Sequence, residues 1–156
     1  MQMTYGAKRL ALAYTVVSLG GASVGIAMLA QLGDGLAFQR WPSPFETWTV
    51  VACAIGAAAG LHFGRDHFGH PGPSGFLRAV LACLWVSFVG SLIGGTLALP
   101  IYGTMFGPLS LAATLITRPL LALVWFGNLF ACHVFVAYHR AERDSVFRRL
   151  GDEDLA

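Results

Sequence analysis

Charge is what this sequence has least of. Only 12% of its 156 residues are Asp, Glu, Lys or Arg, about half the share carried by an ordinary soluble domain. Ten basic and eight acidic residues leave a net charge of +2. No basic stripe exists, so a nucleic-acid partner is excluded. Lysine is almost missing: Lys8 stands alone, and every other basic residue is Arg. That bias is the codon habit of GC-rich bacteria and points to a bacterial source. Cys53, Cys83 and Cys132 lie apart inside apolar runs. With no C-x-x-C pair, a zinc ribbon and a thioredoxin-like redox centre are excluded, and the three thiols read as small buried hydrophobes. No Asp or Glu falls inside any long apolar run, so the membrane-depth carboxylate that proton-coupled transport generally uses is missing. Paired acid–base residues, a Ser-His-Asp set and a phosphate-binding loop are missing too. The expectation is a protein that is not an enzyme and carries no cofactor.

What is present is apolar. Hydrophobic residues make up 56% of the chain and glycine contributes 19 positions, with a mean hydropathy of +0.64. A spanning helix needs about 20 apolar residues, because each rises 1.5 Å through a core of about 30 Å. Residues 10–32 are uncharged and too long for a signal-peptide core of about 7–15 residues, so they read as a retained first span. Residues 47–63 form a second, with Thr47 as N-cap. Residues 77–99 form a third, stopped by Pro100. The last span is placed at 119–138: Pro119 suits a first helical turn, and Thr117 can cap it. Arg118 then sits at the interface and snorkels to water; the alternative is one kinked helix from Pro108 with Arg118 inside the bilayer.

The expected fold is therefore all-α: a four-helix transmembrane bundle in one membrane domain, residues 1–156. Lys8, Arg9, Arg65, Arg78, Arg140, Arg143, Arg148 and Arg149 all fall on one side of such a bundle. By the positive-inside rule that side is cytoplasmic, with both termini there. The tail 139–156 continues as helix, Arg140 and Asp144 pairing along one face with Arg148, until Gly151 stops it. The apolar connector 100–117 has no ordinary place. It reads as a re-entrant hairpin turning at Gly103–Pro108, or as a half-helix in the outer interface; non-helical backbone at that depth must be buried in protein or line a cavity.

Three groups of residues stand out. Gly21 and Gly25, Gly56 and Gly60, and Gly90 and Gly94 are small-x-x-x-small pairs, which let helix backbones approach closely where lipid gives no hydrophobic drive for association. Arg118 and Asn128 are polar groups near or within the last span and are the candidates for lining a pathway. His62 and His133 lie towards the same membrane side on parallel spans, weak candidates for a metal or a bis-His haem; no metal site is assigned. The leading expectation is a non-enzymatic accessory or assembly subunit of the bacterial inner membrane, with the lipid bilayer and either other membrane subunits or a second copy as partners. The runner-up is a small homo-oligomeric channel or transporter. A haem- or metal-binding membrane protein comes third.

Overall fold

The computed structural model describes residues 4–32 and 41–153, with side chains as far as Ser145. Expectations resting on the side chains of Arg148 and Arg149 lie outside the described residues. Five α-helices follow one another: α1 (Tyr5–Leu32), α2 (Pro44–Gly64), α3 (Gly72–Ala98), α4 (Tyr102–Thr117) and α5 (Pro119–Glu153), with a short 3-10 turn at Arg65–His67 after α2. No strand occurs among the described residues. Helices α1, α2, α3 and α5 are long and apolar enough to cross a membrane, so the all-α class with four spans stands.

Local chemistry moves several boundaries. Helix α2 starts at Pro44, and its N-cap is Ser43 rather than Thr47. The Ser43 hydroxyl accepts from the Glu46 N–H, and the Glu46 carboxylate accepts from the Ser43 N–H. This reciprocal capping box, with Pro44 at the first position, starts the helix a turn early. Thr47 instead donates back to the Ser43 carbonyl. Thr117 is not a cap for α5; its hydroxyl donates to the Ala113 carbonyl at 2.8 Å and belongs to the last turn of α4. The tail helix passes through Gly151 to Glu153. Glycine costs a helix only about 1 kcal/mol and does not end one by itself.

The connector is a helix. No hairpin turn forms at Gly103–Pro108; α4 runs through both, with Pro108 inside it. Its 16 residues rise about 24 Å, too short to cross. A tight turn aims it: Tyr102 N–H donates to the Pro100 carbonyl at 2.9 Å, with Ile101 between them at φ 71°, ψ −64°. This is the rare γ-turn of positive φ, a strained backbone for a β-branched residue. Thr104 meets Thr96 of α3 at 2.7 Å. At its other end Thr114 and Thr117 bond the Gln31 amide of α1. Helix α4 thus begins and ends towards the same end of the bundle, with Gly107 packed against Ser91 in between.

Glycines set the helix spacings. A Cβ on Gly21 would stand 2.6 Å from the Cys53 carbonyl oxygen, and one on Gly60 2.6 Å from that of Val86. Gly56 lies against Gly90 and Gly94. Gly95 and Gly107 bring α3 and α4 together, Gly107 against the Ser91 backbone. The seam between α3 and α5 is built differently, from large side chains: Phe76 stacks on Phe130 at 5.9 Å, and Trp125 Nε1 donates to the Ser87 hydroxyl at 2.9 Å.

The two kinds of glycine separate in thermal unfolding of the detergent-solubilised chain. Gly60→Ala is expected to lose about 1–3 kcal/mol through overpacking. Gly127, with nothing within 4 Å of a Cβ, is expected to gain up to about 1 kcal/mol as Ala from helix propensity. Equal shifts in both would remove the glycine seam as the reason for the spacing.

Candidate functional site

The bundle has two distinct ends. Lys8, Arg9, Arg65, Arg78, Arg140 and Arg143 gather at one, here the basic end; the far end holds α4 and, among described residues, Glu46 and Arg118. Between them, nearer the far end, an interior cavity of about 80 Å³ is walled by Gly21, Cys53, Gly90, Gly94 and Trp125, with Leu111 of α4 across it. That is room enough for a water molecule or a small guest. The hydroxyls on its wall are occupied: Ser87 donates to the Cys83 carbonyl, Ser91 to that of Phe88 and Thr49 to that of Phe45. An apolar cavity of this kind stays dry or takes an apolar guest. Towards the basic end the interior is filled by Val17, Leu61, Phe68, Val86 and Leu129, all fully buried.

All six glycines singled out from the sequence lie at helix contacts inside the bundle, Gly21 and Gly25 between α1 and α2, Gly56, Gly60, Gly90 and Gly94 between α2 and α3. Arg118 and Asn128 do not come together. Arg118 is exposed at the break between α4 and α5, and Asn128, ten residues on, lays its amide against Gly20. Neither lines the cavity. Nor do the histidines meet. His62 Nδ1 bonds the Tyr14 hydroxyl of α1 at 3.2 Å, while His133 Nδ1 accepts from the Gly69 N–H at 3.0 Å. No cluster of three potential metal ligands occurs among the described residues.

The most organised polar constellation is one that sequence reasoning missed. It locks the turn between α2 and α3 onto α5. Phe68 drops into the core at 0% exposure and its ring lies 6.1 Å from that of His133. Gly69 adopts φ +80°, and a Cβ there would meet the Ala137 backbone at 2.9 Å. Arg140 then closes the turn: its guanidinium donates to the carbonyls of Arg65 and Asp66, at 3.3 and 2.8 Å, and stands 3.8 Å from the Asp66 carboxylate. Each of these carbonyls at the helix end already has one partner, the Phe68 N–H on Arg65 and the His70 ring on Asp66, and Arg140 adds a second. Glu142 does the reverse for α1, accepting from the Gly6 N–H. That N-terminus has no acidic residue of its own in its first turn, and a carboxylate there complements the helix dipole. Arg9 lies over the rings of Tyr5 and Tyr138, 5.3 and 5.4 Å from their centroids. The one advance signal was Gly69 before a proline-rich turn, which marks a left-handed position but not its partner.

This arrangement can hold a shape; it brings no nucleophile to a base. Phe68→Ala is expected to cost about 3–5 kcal/mol. Arg140→Ala, which keeps the apolar anchor, should leave the helices folded while backbone amides of 66–70 exchange with solvent markedly faster. Unchanged exchange would show that Arg140 does not close the turn. Comparison with protein families, with characterised proteins and with solved structures returns no match.

Proposed function

We propose that this chain is a non-enzymatic accessory or assembly subunit of a complex in the bacterial inner membrane, with both termini in the cytoplasm. The orientation rests on the gathering of Arg and Lys at one end of the bundle. The observation that carries the role is the division of its surfaces. The glycine faces are used up inside the bundle, whereas α4 and the start of α5 turn large apolar side chains outward: Met105, Leu109, Ile116, Leu120 and Leu123 are all exposed. Helix α4 packs chiefly along α3 and only lightly on α1 and α5. A short helix held along one flank, with an open apolar flank beside it, suits packing against a helix of another subunit.

The cavity under α4 favours a second reading, a small homo-oligomeric channel or transporter. A path through one copy would have to pass the filled interior at Phe68, Leu61 and Leu129. A photocrosslinker at Leu109 or Ile116, used in native membranes, discriminates the two readings. The accessory role expects one adduct with a different protein, recovered in stoichiometric amount on gentle purification. An adduct of two copies and a clean homo-oligomer would overturn it in favour of the channel, where flux would then be measured with Arg118→Ala as the variant.

A further inference from the structure

Helix α3 carries an open groove on its outward face. Leu81, Leu84, Trp85 and Phe88 line it together with His67 of the 3-10 turn, and the open space they border measures about 570 Å³. That lies within the range of ligand pockets, about 300–1,000 Å³. The four apolar side chains are each more than half exposed, so they form walls with no protein between them. Arg78 precedes Leu81 by three residues and Trp85 by seven, which puts all three on one strip of the helix. Ten residues separate Arg78 from Phe88, a rise of about 15 Å, half of the roughly 30 Å hydrocarbon core. The strip is one leaflet deep.

The basic groups at its head are open to a ligand, as Lys8 and Arg118 also are, whereas three other arginines are engaged. Arg140 is engaged by the turn and Asp66, Arg143 by Asp144, and Arg9 by two tyrosine rings. Arg65 and Arg78 are exposed, and no side-chain partner meets either of them among the described residues. The nearest acid in sequence, Asp66, has Arg140 beside it at 3.8 Å. Arg78 thus lies one turn before Leu81 on the strip, and Arg65 two residues before His67 in the 3-10 turn, so both free guanidiniums belong to the elements that form the basic-end head of this apolar groove.

We propose that this groove holds one anionic phospholipid from the leaflet occupied by the α2–α3 turn. Its acyl chain lies along Leu81, Leu84, Trp85 and Phe88, and its phosphate meets Arg65 and Arg78. Guanidinium and phosphate pair through parallel hydrogen bonds. Charge complementarity selects an anionic headgroup over a zwitterionic one. The proposal is independent of the accessory role, because it concerns a different face of the bundle.

The test is native mass spectrometry of the full chain in detergent, titrated with phosphatidylglycerol or with phosphatidylcholine of the same acyl chains. One phosphatidylglycerol per chain is expected to be retained in preference. The double variant Arg65→Gln, Arg78→Gln should weaken its retention about 30-fold, taking about a factor of five per basic residue near a charged headgroup. Arg118→Gln, at the opposite end, should change nothing. Equal retention of the two lipids, or a preference that survives the double variant, overturns the proposal. Should the double variant not fold, the unaltered chain decides: salt screening must erase the preference, and its persistence at high salt counts against the site.

Discussion

Helices in lipid gain little from hiding apolar surface, because the surroundings are as apolar as the interface. What holds this bundle together is close backbone approach, and that requires the absence of a side chain. The contact of α2 with α3 shows it most plainly. Gly56 and Gly60 of one face Gly90 and Gly94 of the other, with backbone atoms where a Cβ would stand. The same device joins α1 to α2 at Gly21 and α3 to α4 at Gly107. Every other feature is arranged around these contacts. Helix α5 reaches α3 only through long side chains such as Trp125 and Phe130, and the cavity lies where small walls meet that wider spacing.

The polar groups are placed to spare the backbone. At the basic end Arg140 adds a second bond to each of two carbonyls just after the α2 terminus, and Glu142 takes up an N–H left by the start of α1. At the far end Ser43 and Glu46 cap α2, and Gln31 ties the end of α4 to α1. The polar side chains that looked suited to chemistry serve as such ties: His133 receives the Gly69 N–H, and His62 meets a tyrosine. A bundle built this way spends its polar side chains on helix ends and turns and leaves large apolar side chains facing outward.

Much of the fold was legible because it depends on short-range rules. Pro100 and Pro119 mark helix ends, and the uncharged runs have the length of a bilayer. Other boundaries were misread for equally local reasons. Ser43-Pro44-Phe45-Glu46 contains a capping box and a favourable first-turn proline, a stronger start than Thr47. The connector 100–117 looked unplaceable because its length fits neither a span nor a loop. Its resolution needed the γ-turn at Ile101 and the glycine faces of α3, which meet only once the chain has turned back. Phe68 gave no signal at all, being a lone aromatic in a loop rich in glycine and proline.

The sequence by itself determined the solvent this protein needs, the number of spanning helices and the side on which its positive charge collects. These follow from composition and run length, which each segment carries alone. Tertiary structure alone decided which glycines face one another, that the connector becomes a helix packed along α3, and that Arg140 and Glu142 serve helix ends 74 and 136 residues away in the chain. Those choices rest on pairs of distant residues meeting at particular distances, and no local pattern encodes a partner that folding has yet to bring near.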